Sequence, residues 1–175
     1  SQGTSVSATN LGLSAVAAPA LNLGANTDIA LLSADITGPG NPFAFADSNG
    51  LTIGQVGTLS GISTSNGNVT VQTSSGSLTL AAPVSAGDPV TGSATADLAA
   101  ASDLILNDAV AEHSVVLRAG NAITQSQGAS VSATNLGVSA AAAPSLTADT
   151  EGLDADITSL DTLLTYTDNN DLTIA

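Results

Sequence analysis

This chain of 175 residues sets 15 acidic side chains against one Arg and no Lys, a formal net charge of -14. The balance excludes nucleic acid, which needs clustered cations for its phosphates, and disfavours an anionic membrane surface. With no Cys there is no disulfide framework or thiolate metal site, and with only Phe43, Phe45 and Tyr166 as aromatics there is no stacking platform for single-stranded nucleic acid.

A hydrophobic fraction of 43% and a mean hydropathy of +0.33 supply enough apolar area to bury, so disorder is not expected. In chain order, period-two segments recur: Val6-Ser7-Ala8, Leu11-Gly12-Leu13, Leu21-Asn22-Leu23, Phe43-Ala44-Phe45, Leu51-Thr52-Ile53, Val69-Thr70-Val71, Leu78-Thr79-Leu80, Leu104-Ile105-Leu106, Leu136-Gly137-Val138 and Leu172-Thr173-Ile174. Each predicts a short strand with one apolar face. Turn residues separate them: Gly38-Pro39-Gly40, Asn49-Gly50, Asn66-Gly67, Ser75-Gly76, Gly87-Asp88-Pro89 and Asn169-Asn170-Asp171. Two Ala-rich runs, Ala94 to Leu104 and Ala140 to Leu146, are the best helix candidates and serve equally as small-residue corners. No apolar run approaches the roughly 20 residues of a transmembrane helix, so no membrane insertion is expected.

The chain also repeats itself. Ser126 to Ala140 matches Ser1 to Ala15 almost residue for residue at an offset of 125, and Ala155-Asp156-Ile157-Thr158 and Leu172-Thr173-Ile174 match Ala34-Asp35-Ile36-Thr37 and Leu51-Thr52-Ile53 at an offset of 121. Four residues are lost after the shared Ala-Ala-Pro ending at Pro19 and Pro144, as when one loop of a solenoid shortens and its strands keep register. The expected organisation is one continuous solenoid over 1-175, with a first copy at about 1-125 and a partial second at about 126-175, cut from a longer array.

Short strands, Gly-rich turns and an inexact sub-period predict an all-β fold, a right-handed parallel β-helix. Leu51, Leu78 and Leu104 lie 27 and 26 residues apart, as successive rungs on one face would. With roughly 20 to 30 residues per rung, one repeat makes about five rungs. The side chains expected to stack inside are Leu51, Ile53, Val69, Val71, Leu78, Leu80, Leu104, Leu106, Leu172 and Ile174.

The phrases Asp47-Ser48-Asn49-Gly50-Leu51-Thr52-Ile53-Gly54-Gln55-Val56, Gly61-Ile62-Ser63-Thr64-Ser65-Asn66-Gly67-Asn68-Val69-Thr70-Val71, Ser75-Gly76-Ser77-Leu78-Thr79-Leu80 and Leu117-Arg118-Ala119-Gly120-Asn121-Ala122-Ile123-Thr124-Gln125 resemble the repeats of filamentous-haemagglutinin-like bacterial exoproteins. The resemblance spans nearly the whole chain and contains no catalytic signature. It implies a large adhesin, exported by a two-partner or autotransporter route to the cell surface or beyond it. There it would act as a fibre or stalk in adhesion, aggregation or biofilm matrix, with further copies of itself, cell surfaces or matrix polysaccharide as partners.

Chemistry-bearing residues are sparse. Glu112-His113 and Arg118 are the only acid, imidazole and guanidinium close in sequence, where a polysaccharide-cleaving β-helix would be looked for. One Arg and no Lys leave little to neutralise a uronate or take its proton, so an enzyme is not expected. Asp149, Glu151, Asp154 and Asp156, with Asp168 and Asp171, are weak calcium candidates, because the ion takes six to eight oxygens and stacked Asp and Asn turns supply oxygens. Asp and Asn also serve simply as turn formers, and the glycine-rich calcium nonapeptide is missing. No cofactor is therefore expected beyond weak, nonspecific calcium. Outward Thr52, Thr70, Thr79 and Thr173 raise an ice- or surface-binding alternative, although their apolar flanks break a regular Thr-x-Thr array.

Overall fold

A computed structural model describes residues 6–17, 27–87, 91–158, 163–168 and 172–174. Among the described residues there is no helix: 19 strands form a 17-stranded parallel sheet and a separate two-stranded antiparallel hairpin. Strands adjacent in sequence mostly follow one another around the turn, and each pairs with strands about a turn away. This is the pairing of a β-solenoid.

Three columns of stacked strands result. In the first, Leu51–Ile53, Leu78–Leu80, Leu104–Leu106 and Ile123–Gln125 lie one on another, so that Leu51, Leu78, Leu104 and Ile123 are in line. The second contains Ile62–Ser65, Val84–Ser85, Val110–Ala111 and the start of Val131–Ala140. In the third, Phe43–Asp47, Val69–Thr73, Thr95–Ala100, Ser114–Ala119, the end of Val131–Ala140 and the end of Ser145–Ile157 follow in order.

Alternation decides what each column buries. Leu51, Ile53, Val69, Val71, Leu78, Leu80, Leu104 and Leu106 are all buried in one core cluster, against which Leu172 packs half-buried. Ile174 lies in the strand Thr173–Ile174, and its side chain falls outside the described residues, as does the segment Leu21 to Leu23. The Ala-rich run predicted as a possible helix is instead the strand Thr95–Ala100, with Ala96, Leu98 and Ala100 turned inward; residues beyond Pro144 likewise enter the strand Ser145–Ile157. Pairing on both edges outweighs the helix propensity of alanine, because a short helix there would leave backbone groups of both neighbouring turns unpaired. Phe43 and Phe45 both point inward, their rings nearly parallel at 6.5 Å, so the interior is not purely aliphatic.

Between the first and second columns the chain makes an excursion. Leu31 and Leu32 stand opposite Thr52 and Ile53, but two residues later Ala34 stands opposite Ile62, so seven extra residues are looped out. They form the antiparallel hairpin Gln55–Val56 with Leu59–Ser60, in which Gly57 supplies the positive φ of 62° that a two-residue loop needs at its first position. Gly61 closes the excursion with φ 71°, and a Cβ there would lie 2.0 Å from the Pro83 carbonyl oxygen. The hairpin folds back over the preceding turns. Ser33, on the outer side of its strand, is buried beneath it and donates its hydroxyl to the carbonyls of Gly54 at 2.6 Å and Leu59 at 3.3 Å.

The two sequence copies pair in the same register but in different places. Asn10, Gly12 and Ser14 face Leu31, Ser33 and Asp35, and Asn135, Gly137 and Ser139 face Gly152, Asp154 and Asp156, which are the equivalent residues. The missing four residues lie between these paired strands. Turn by turn, Leu11 stacks with Leu32, Ile53, Leu80, Leu106 and Gln125 in the first column, whereas Leu136, the counterpart of Leu11, belongs to the third. One repeat is thus five turns and two columns more, longer than the five expected.

Candidate functional site

Glu112, His113 and Arg118 come from the connection between Val110–Ala111 and the next strand, Ser114–Ala119. Val110 points inward, and Glu112, two residues on, does likewise: it is 1% exposed, stacked between the small Ala86 and Ala133 of adjacent turns. Burial raises its carboxyl to about 8, against which the Ala86 backbone N–H acts as a donor that favours the charge, and Oε1 has no hydrogen-bond partner. His113 is half-buried, with Nδ1 unpartnered. Arg118 points out to solvent and pairs with Asp97 of the neighbouring strand. The three groups, close in sequence, are therefore divided between interior and exterior: Glu112 is buried, His113 half-buried, and Arg118 exposed and paired with Asp97.

The acidic group of Ser145–Ile157 is also divided. Inward and outward parity reverses at Gly152: Asp149 and Glu151 are exposed before it, then Leu153 turns inward and Asp154 and Asp156 are exposed after it. Asp168 faces the half-buried Tyr166, whose hydroxyl donates to Asp168 Oδ2 at 3.2 Å and accepts from the Thr150 hydroxyl at 2.6 Å. Burial foremost, with the charge of Asp168 beside it, pushes the Tyr166 phenol up. Asp171 lies outside the described residues. Among the described residues no three His, Cys, Asp or Glu side chains gather as metal ligands.

The contrast with Asp47 is informative. It is fully buried, yet its two oxygens accept from the backbone N–H groups of Ile29 and Asn49, each at 2.9 Å. A carboxylate satisfied in this way fixes a corner. Glu112 has no such second partner, and only its parity with Val110 could have revealed its burial from sequence.

Outward positions form mixed columns. Thr52 and Thr79 are adjacent, but Ile105 and then Thr124 follow, and Thr70 stacks against Asp97. No family model, curated protein or solved structure matches this chain. A shallow groove of about 180 Å3 lies on the third column, bounded by Val116, Arg118, Gly137, Ser139, Asp154 and Asp156.

Proposed function

We propose that this chain is a structural segment of a secreted bacterial surface fibre or adhesin stalk, a right-handed parallel β-helix of the filamentous-haemagglutinin-like type, without catalytic activity. The observation that carries the reading is the placement of its repeat. The same phrase recurs with the same strand pairing but two columns further round. A repeat that served a ligand along one face would return to that face. One that serves stacking needs only its register, which is what recurs.

Two further observations support it. The divided placement of Glu112 and Arg118 disfavours a polysaccharide-cleaving centre, and Ile105 interrupts the outward Thr column that an ice-binding surface would need. Copies of itself are the expected partners, alongside cell surfaces or matrix polysaccharide.

The test is electron microscopy and size measurement of the purified segment, with surface adhesion and polysaccharide cleavage assayed in parallel. Rods or end-to-end oligomers without cleavage support the proposal. A lyase or hydrolase activity lost on changing Glu112, His113 or Arg118 to Ala would overturn it, and so would a dilution-stable monomer that binds no surface.

A further inference from the structure

The sequence holds two Asn-Gly pairs, Asn49-Gly50 and Asn66-Gly67, and the fold treats them differently. Such a pair is open to attack of the glycine nitrogen on the preceding carboxamide, because glycine puts no side chain in the way of the nucleophile. Both pairs lie at corners of the solenoid and end the same phrase, a buried residue followed by Ser-Asn-Gly: Asp47 opens the first and Thr64 the second. Their surroundings then diverge.

Asn66 is clamped. Its backbone is left-handed at φ 58°, and its N–H donates to the Ala86 carbonyl of the next turn at 2.9 Å. Its carboxamide oxygen is seated on Gly87, 2.4 Å from where a Cβ would stand there. Gly67 is buried against the turn below, where its own Cβ would lie 1.8 Å from the Asn41 carbonyl oxygen. Neither the side chain nor the peptide nitrogen swings toward the other without displacing a neighbouring turn. Asn49 and Gly50, by contrast, are both exposed, and the nearest atom to a Cβ on Gly50 is the Ser77 carbonyl oxygen at 3.3 Å. Asn49 is tied through its backbone, by an N–H to Asp47 Oδ2 bond of 2.9 Å that does not hold the side chain. Ser75 of the next turn stands beside that side chain: its hydroxyl donates to the Ser48 carbonyl at 2.8 Å and lies 3.5 Å from Asn49 Oδ1.

We propose that Asn49 is a self-modification site, at which the folded chain converts its own carboxamide to a carboxylate with the help of Ser75. The Gly50 nitrogen gives up its proton and attacks Asn49 Cγ. As the N–Cγ bond forms, negative charge builds on Oδ1, and the Ser75 hydroxyl has only to rotate to donate to it. Collapse breaks the Cγ–Nδ2 bond, ammonia leaves having taken up the proton, and a cyclic imide remains. Water then opens the ring at either carbonyl, giving aspartate, or isoaspartate where the backbone carbonyl is the one attacked; nothing is oxidised or reduced. Isoaspartate adds a methylene to the main chain between two fixed points of this corner, the Asn49 N–H on Asp47 and the Leu51 N–H on the Ser77 carbonyl. Either product sets a new charge two residues from the buried Asp47. In the second copy Asp171 stands in place of Gly50, so Asn170 lacks the glycine that the attack requires. The inference does not depend on whether the solenoid is a stalk.

The experiment incubates the 175-residue chain at mildly alkaline pH, where the amide proton is lost more readily, both folded and in guanidinium chloride. Mass spectrometry of peptic peptides reads the gain of mass from Asn to Asp at each site. In denaturant Asn49 and Asn66 should convert at similar rates, since the dipeptide is the same. In the folded chain Asn49 should convert at least about tenfold faster than Asn66, which waits for its corner to open. Ser75→Ala should slow Asn49 several-fold in the folded chain, with the denatured rate and the circular dichroism unchanged, and Ser75→Thr, which keeps a hydroxyl, should restore the rate. Equal rates at the two sites in the folded chain, whether both fast or both slow, would overturn the proposal. An unchanged folded rate in Ser75→Ala would overturn the part assigned to Ser75.

Discussion

Thr150 Oγ1 and Tyr166 OH share a 2.6 Å hydrogen bond at positions that the first copy fills with Ile29 and Phe45. In the first copy both side chains are apolar and buried, and Asp47 beside them is satisfied by backbone N–H groups. In the second copy both carry hydroxyls, and Thr150 donates to Tyr166, which in turn donates to Asp168, the counterpart of Asp47. A single hydroxyl there would lack this partner. The two changes make sense together, since a polar network half satisfied is worse than an apolar packing.

Tyr166→Phe alone should therefore cost about 1 kcal/mol, and Thr150→Ile alone at least as much, because each leaves the other hydroxyl without its partner. The double substitution, which restores the pair of the first copy, should cost less than the sum of the singles. Urea unfolding of the four proteins reads this as a coupling energy. Additive losses would mean that the hydrogen bond carries no stability.

Stability should fall with pH because of Glu112. Its carboxyl titrates near the ordinary 4.5 when unfolded and near about 8 when folded. Below the lower value both states hold the proton and there is no penalty. Between the two values the unfolded chain has released a proton that the folded chain keeps, so stability declines as pH rises, and above about 8 the loss is complete. Glu112→Gln should flatten this dependence and leave the protein more stable than the parent at pH 9, by on the order of a few kcal/mol. Melting temperatures from pH 4 to pH 9 check it; parallel curves for parent and variant would place Glu112 in water.

The first column was legible in the sequence because its turns from Leu51 to Leu78 and Leu104 have almost constant length, and each carries the same apolar-polar-apolar triplet. The third was harder to read, since Val69 stacks on Ala96 within an Ala-rich run and then on Val115 after a much shorter turn. A solenoid tolerates such variation because loops leave the stack where strands do not. The hairpin was missed for the same reason, although Gly54, Gly57 and Gly61 around Val56 and Leu59 are its trace. Glu112 stood out in the sequence for its chemistry but not for its burial, because glutamate is ordinarily a surface residue and parity with Val110 was the only clue.

Parity also separates tolerant from intolerant positions along one strand. Leu78 and Leu104 are fully buried, and Thr79 between them in the pattern faces outward, half-buried. Leu78→Asp or Leu104→Asp should lower stability by several kcal/mol, enough to unfold the stack locally or altogether, because an unpaired carboxylate would enter the core. Thr79→Asp, one residue away, should cost under about 1 kcal/mol. Thermal unfolding of the three variants distinguishes them, and similar values would contradict the assignment of the inner face.

The hairpin should prove separable from the stack. Its two ends are already joined by a 2.8 Å hydrogen bond from the Gly61 N–H to the Gly54 carbonyl, and in the next turn the same corner is made by only Ala81, Ala82 and Pro83. Replacing residues 54–61 with Ala-Ala-Pro should therefore keep the pairing of Ile53 and Ile62 with their neighbours and leave the strand content of the core intact. What it removes is the cover over Ser33 and the burial of Val56 and Leu59, a loss of about 2 to 4 kcal/mol. Ser33→Ala in the full chain isolates the hydrogen-bond part and should cost about 1 to 2 kcal/mol, since the Gly54 carbonyl is buried and keeps only the Gly61 N–H. Circular dichroism and urea titration of both variants test the separation. If excision of the hairpin abolishes the β-sheet signal, the excursion is part of the folding unit and the turn-by-turn pairing cannot stand without it.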